Sequence, residues 1–285
     1  MNRGSGHLKL KDTSAFWESI LSESITKGGR ARPFASKAGY CPTANWFMGS
    51  NKGEFVVGAT MKLYQGIGNG IEAELVAGAE RKGILLGTQV KMPTPSGVDI
   101  GGFIDLIAIG PNGSPTLYEI KSCTNLPTKI KPEHAAQAAT YWLFSGFERV
   151  EVIYVSRKVQ NFPDPTPLIK TFQFDPTEWQ NEILNVFITL ETFNNKKPPQ
   201  RPAHFVKNRQ CMFCDFANRC WDMADTEFSP NKEMSAIESK AISHMNKVLK
   251  ERKNYVTRTL ENCRTSVTDA NKTLLENFIK ESKKK

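Results

Sequence analysis

Two stretches constrain this chain most, 103-FIDLIAI-109 and 117-LYEIKSC-123, joined by the turn signal Pro111-Asn112-Gly113. They read as a β-hairpin whose first arm runs over 100–109. That arm is almost continuously apolar, which calls for cover on both faces. Strands send alternate side chains to one face, so Leu117, Glu119, Lys121 and Cys123 share a side. A hairpin of this spacing brings Asp105 beside Glu119. Two adjacent carboxylates are costly to bury unless a cation neutralises them. A hard divalent ion, magnesium or manganese, meets that need with oxygen ligands, and can polarise a phosphoryl oxygen and help generate a hydroxide nucleophile. Lys121 then holds or activates the attacking water, or stabilises charge on a phosphate. For a Glu-x-Lys taken alone, a structural ion pair of Lys121 with Asp105 or Glu119 is the plainer alternative.

The rest of the chain supplies α/β surroundings. Apolar residues from Phe55 to Ala79 recur at three to four positions, so 41–80 reads as helical, with Gly66, Gly68 and Gly70 bending or dividing it. Strands are expected at 88–92, 151–156 and 168–174. A helix over 133–147 is opened by Pro132, and another runs from Asp175-Pro176-Thr177 to about 193. From 231 onward Ile237, Ala241, Met245, Val248, Val256, Leu260, Cys263, Val267, Ala270 and Leu274 keep helical spacing. The tail is therefore one long amphipathic helix or two shorter ones, with Thr268-Asp269 as a cap. Around Phe16, Trp17 and Ile20 there is one short apolar patch in a polar, Gly/Ser-rich N-terminal segment.

Lys and Arg total 38 against 29 Asp and Glu, a formal charge of +9 that favours a polyanionic partner such as nucleic acid. No apolar run is long enough for a membrane span, and the N-terminus lacks an apolar signal core, so a cytoplasmic protein is expected, in the host cytoplasm if viral. The Gly66-x-Gly68-x-Gly70 run is followed by no Lys-Ser/Thr pair, which argues against a nucleotide cofactor. Serine hydrolase chemistry lacks a nucleophile elbow.

Taken together, 99-DIGGFIDLIAIGPNGSPTLYEIKSC-123 resembles the core of the PD-(D/E)XK nuclease superfamily. The downstream 137-QAATY-141 resembles the Gln-x-x-x-Tyr motif of its RecB-like branch, and residues four apart share a helical face. Glu133 and His134 lie near the same stripe. The branch also carries an upstream Gly followed four residues later by a metal-binding His; here 68-GNGIE-72 puts Glu72 at that position, with Glu74 as its competitor. The resemblance implies a mixed sheet flanked by helices and metal-dependent hydrolysis of DNA. It places Asp105, Glu119, Glu72 and the Ile120 carbonyl on the metal, Lys121 at the nucleophile, and Gln137 and Tyr141 on the water or the strand.

Six cysteines are present, and in a reducing compartment a cluster of them suggests metal before disulfide. Cys211-x-x-Cys214-x5-Cys220 lacks a second pair, and Cys41 is the candidate fourth thiolate. One Cys before the core and three after it resembles the iron–sulfur exonucleases of the same branch, among them the CRISPR-adaptation nucleases and AddB-type domains. That likeness implies a 4Fe-4S cluster on Cys41, Cys211, Cys214 and Cys220; structural zinc stays open, since both accept four thiolates. Cys123 sits on the active-site strand, and Cys263 on the apolar stripe of the tail.

The expected organisation is an N-terminal segment over 1–39, a PD-(D/E)XK core with the cluster over 40–225, and a basic amphipathic extension over 226–285. The resemblance implies an exonuclease acting on single-stranded DNA ends and leaving a 5′-phosphate. Rival readings are a structure-specific endonuclease or resolvase, and a catalytically idle nucleic-acid-binding module. Tyr40, Trp46, Phe47, Tyr64 and Trp142 are candidate stacking residues for bases, the tail's Lys and Arg candidate backbone contacts. A ring-shaped oligomer, which would confer processivity, is compatible with this organisation.

Overall fold

In the computed structural model the described residues are 25–27, 34–50, 54–56, 59–95, 97–158, 168–193, 197–200, 211, 214 and 216–284. The patch expected around Phe16, Trp17 and Ile20 lies outside them.

In chain order the strands are β1 (Ile25–Lys27), β2 (Glu54–Val56), β3 (Leu85–Lys91), β4 (Phe103–Ile109), β5 (Pro115–Cys123), β6 (Arg149–Ser156) and β7 (Ile169–Gln173). The helices are α1 (Pro42–Ser50), α2 (Ala59–Arg81), α3 (Pro132–Ser145), α4 (Gln180–Phe193), α5 (Ala217–Asp222), α6 (Asn231–Glu251), α7 (Tyr255–Cys263) and α8 (Asp269–Ser282). Strands β3 to β7 form a mixed sheet in sequence order. Neighbours are antiparallel except β5 and β6, which run parallel and are linked through α3. A parallel pair needs a crossover of this kind. The chain is thus α/β, with helices on both faces of the sheet.

The helix expected over 41–80 is broken. Strand β2 interrupts it and pairs antiparallel with β1, so only α1 and α2 are helical. The short β2 run sits inside an apolar spacing that suits either state, and its partner strand lies far upstream of any periodicity window. The three glycines do not divide α2, which is continuous through them.

Continuous apolar character in β4 is explained by cover on both sides. On one face Ile71, Leu75, Val76 and Ala79 of α2 pack on Leu85, Leu106, Ala108, Tyr118 and Ile120. On the other, Ile107, Leu117, Val150 and Val152 face the larger core with α3, α4 and the C-terminal helices. Helix α3 ends at Gly146, which adopts φ 78° and donates its N–H to the Trp142 carbonyl. That left-handed cap favours glycine, and a Cβ there would also lie 2.5 Å from the Arg252 carbonyl.

The segment beyond 226, expected as a basic extension, shares the central core. Ile237, Ala241, Met245, Val248, Tyr255, Leu260, Cys263 and Ile279 are buried in the same cluster as the sheet. In α8 the buried stripe is Asn271, Leu275 and Ile279, one residue on from the expected Ala270 and Leu274. The α7 region also covers the β3 edge: Asn262 Nδ2 donates to the Lys91 carbonyl at 2.8 Å, and Ser266 Oγ accepts from the Thr88 N–H at 3.2 Å. Covering an edge this way removes a template for unwanted pairing. Arg252 stacks 3.9 Å above the Trp142 ring and donates to the carbonyls of Trp142 and Phe147. Among the described residues no helix is long and apolar enough to cross a membrane.

If the tail is integral to the core, Arg252→Ala should lower stability by about 1–3 kcal/mol in urea unfolding, with Arg252→Lys failing to restore it, because an ammonium cannot stack and fork as a guanidinium does. An unchanged midpoint in both variants would show that the tail docks without this contact.

Candidate active site

The registered β4–β5 pairing ends at Leu106 opposite Tyr118. Beyond it the Ile120 N–H donates to Asp105 Oδ2 at 2.9 Å. A side-chain carboxylate thus takes a backbone donor of β5, and Asp105 is fixed at the parting of the strands. Glu119 faces the same gap with its side chain fully buried. Neither of its oxygens accepts a well-aligned hydrogen bond among the described residues. What they meet is the Lys121 ammonium, in contact with Oε1, and the Asp105 carboxyl. Strand β5 alternates as expected: Tyr118 and Ile120 pack on the α2 side while Leu117 and Cys123 join the other core.

Electrostatics follow from this crowding. Burial, and then the neighbouring Glu119 carboxylate, push the Asp105 pKa up to about 8, against the pull of Lys121 and the Ile120 N–H. Burial also raises Glu119, outweighing Lys121. For Lys121 burial acts downward, but Glu119 and Asp105 more than offset it, and the ammonium is held above its usual range. Glu72 projects from α2 into the field of Asp105 and Lys121, and burial raises its pKa. Its Oε1 accepts from Gln89 Nε2. Gln89 has φ 46°, a left-handed conformation that is strained for a residue with a side chain. Nothing in the sequence around Gln89 signals that role, because it arises from a turn of backbone inside β3.

Among the described residues no three His, Cys, Asp or Glu side chains converge into a formed metal site. Asp105 and Glu119 form a pair, with Glu72 held by Gln89. The donor set is nevertheless oxygen only, and it contains a buried carboxylate without proper donors. Those are properties suited to a hard divalent cation.

Gln137 and Tyr141 lie on α3 against the same gap. Gln137 Nε2 donates to Tyr141 Oη at 3.0 Å. The phenol also accepts from the Phe103 N–H, and burial, then Glu119 and Asp105, keep its pKa well above the usual value. Gly102 permits this approach, since a Cβ there would lie 2.9 Å from Tyr141 Cε1. His134 is also near: its Nδ1 lies 2.8 Å from Tyr154 Oη, which accepts from the Lys131 N–H at 3.1 Å. Burial, then Lys121 and Lys131, lower the His134 pKa to about 3, so it is neutral. Tyr154 was not legible as part of this neighbourhood, since β6 reads as an ordinary buried strand. Glu74 lies exposed on α2.

Cys41 immediately precedes α1, and Cys211, Cys214 and Cys220 lie around α5. Burial raises the Cys211 pKa, and the Cys41 and Cys214 thiols add to it. Cys214 and Cys220 pack with Phe47, Phe216 and Trp221. The Trp46 indole N–H is buried in this cluster without an acceptor among the described residues. An all-sulfur donor set fits iron–sulfur or zinc. Cys263 is buried against apolar neighbours, which raises its pKa to about 12.

Of the candidate stacking aromatics, Phe47 and Trp142 are buried and Trp46 is partly buried. Tyr40 and Tyr64 are exposed, at 41% and 51%.

No family model matches this chain, and no curated protein matches it in sequence. Among solved structures, that of SSO0001 aligns with TM-score 0.42 and 14% identity, covering 76% of this chain and 95% of that chain.

An acid whose folded pKa lies above its unfolded value stabilises the fold below the unfolded pKa and loses that contribution as pH rises through the folded one. Without divalent metal, raising the pH from about 6 to about 8 should therefore destabilise the wild type by about 2–3 kcal/mol relative to Asp105→Asn. Parallel pH–stability curves from thermal unfolding in chelator would remove the buried carboxyl pair from the account.

Proposed function

We propose that this chain is a metal-dependent deoxyribonuclease of the PD-(D/E)XK superfamily, in its RecB-like branch, acting on single-stranded DNA ends. The observation that carries this reading is the convergence of Asp105, Glu119 and Lys121 where β4 and β5 part, with Gln137 and Tyr141 facing them. A structural ion pair explains a lysine beside one carboxylate. It does not explain a second carboxyl pressed against the first and a third nearby on α2.

Asp105, Glu119, Glu72 and the Ile120 carbonyl would hold magnesium or manganese, which supplies a water of lowered pKa and polarises a phosphoryl oxygen. Lys121 stays charged beside Glu119 and offers donors to the attacking water or a phosphate oxygen. Tyr141 stays neutral, accepts from Gln137 and Phe103, and keeps its own proton to donate. This pair orients the water or the scissile strand. The four cysteines would hold a 4Fe-4S cluster or zinc, joining α1 to the α5 region beside the core.

End-labelled linear and circular single strands, incubated with magnesium or manganese, test the reading. Linear strands should be degraded and circles left intact, and Lys121→Ala should lose at least about a hundredfold in rate. Cut circles would make the protein an endonuclease. Equal activity in Lys121→Ala would remove the assigned chemistry, and a wild type that binds DNA without cutting it would be an idle module. Separately, anaerobically purified protein should be brown, absorbing near about 400 nm, and lose the colour in Cys214→Ala; a colourless preparation containing stoichiometric zinc would replace the cluster with zinc.

A further inference from the structure

Next to the catalytic gap the surface changes character. The N-terminal half of α2 exposes Leu63, Tyr64 and Ile67 at 52%, 51% and 46%. Positions 63, 64 and 67 share one side of a helix. An apolar stripe usually faces a core, and here it faces outward. It is anchored to the ends of β5 and β6. The Arg157 guanidinium lies 4.5 Å above the Tyr64 ring. The Arg157 N–H donates to the Cys123 carbonyl at 2.7 Å, and Nη2 donates to Thr124 Oγ1 at 3.2 Å. A Cβ on Gly68 would lie 3.6 Å from Ser122 Oγ, which places this part of α2 beside the residue that follows Lys121.

Basic residues sit near this stripe, while the carboxylates lie further on at Glu72 and in the gap. Residues 59–71 carry Lys62 and no carboxylate; 120–132 carry Lys121, Lys129 and Lys131 and none; 152–158 carry Arg157 and Lys158 and none. The stripe leads along α2 to Glu72 and so into the gap that holds Asp105 and Glu119.

We infer that the Tyr64–Arg157 pair, with the exposed α2 stripe, is the entry track for a single-stranded nucleic acid, Tyr64 stacking on a base and Arg157 gripping the adjoining phosphate. A polyanion answers the positive charge of Lys62, Arg157 and Lys158. Exposed Leu63, Tyr64 and Ile67 ask for something flat and apolar as well, and a single strand carries unpaired bases and phosphates together. Arg157 uses one guanidinium nitrogen on Thr124 and has further donors for phosphate. Its stacking on Tyr64 pre-organises it, which lowers the entropic cost of binding. Duplex DNA hides its bases and cannot use the track in this way.

The inference rests on the nuclease reading for the direction of the track, but its test does not require cleavage. Full-length protein in chelator is titrated into a fluorescent thymidine strand of about 15 nucleotides and into an abasic strand of equal charge. Tyr64→Ala should weaken binding of the thymidine strand about tenfold and leave the abasic strand within about twofold, while Tyr64→Phe binds like wild type. Arg157→Ala should weaken both strands and flatten the salt dependence by close to one phosphate contact. Arg149→Ala, at the opposite end of β6 from Arg157, is the charge control and should bind as wild type. Equal losses on both strands in Tyr64→Ala would reduce the track to a polyanion patch and overturn the stacking role. Unchanged binding in Tyr64→Ala and Arg157→Ala, with circular dichroism confirming the fold, would overturn the inference entirely. Loss of strand binding in Tyr64→Ala and Arg157→Ala, when the wild type binds the strand but does not cut it, would leave the track standing and remove only the nuclease.

Discussion

A carboxyl pair held where two strands separate governs the layout of this protein. Asp105 takes the Ile120 N–H, so β5 is anchored to β4 through a side chain at the point where their pairing ends. Glu119 is then buried against Asp105, with Lys121 as its counter-charge among the described residues. Such an arrangement is electrostatically costly. The surrounding structure is organised to hold it: α2 brings Glu72 from one side, α3 brings Gln137 and Tyr141 from the other, and the C-terminal helices lock α3 in place. Arg252 on Trp142, and Thr259 Oγ1 donating to the Ser145 carbonyl at 3.0 Å, tie the tail to the end of α3. The tail thus bears on the carboxylate gap through α3 while lying remote from it.

How much of this was legible in the sequence depends on the range of the interaction. The alternation in 117-LYEIKSC-123 placed Glu119 and Lys121 on one face and Tyr118 and Ile120 on the other, because strand parity is local. The Pro-opened α3 and its Gln137–Tyr141 stripe followed from helical period for the same reason. Long-range pairings were not legible. The β1–β2 hairpin depends on a partner outside any local window, and it broke a helix that apolar spacing alone supported. Gln89 reaches Glu72 only because its backbone turns left-handed within β3, and Tyr154 meets His134 only through the β6 register. The tail's burial depends on tertiary partners such as Trp142 that its own pattern does not name.

The aromatics show the same division. Five residues of one chemical type were candidates for stacking, and burial alone separated them. Phe47 and Trp142 are committed to packing, while Tyr64 stands outside with an arginine over its ring. A cation–π pair at an exposed site contributes little to stability. Tyr64 lies one turn along α2 from Gly68, where a Cβ would lie 3.6 Å from Ser122 Oγ near the end of the strand that carries Lys121.

We propose that the buried carboxyl pair binds a divalent cation. Calorimetric titration of manganese into metal-free protein, in buffers of different ionisation enthalpy, measures binding and proton release together. The expected result is one tightly bound ion per chain in the carboxylate gap, a proton released near neutral pH because Asp105 must ionise, and loss of that binding in Glu119→Gln. Manganese binding to Glu119→Gln with unchanged affinity and proton release would contradict it.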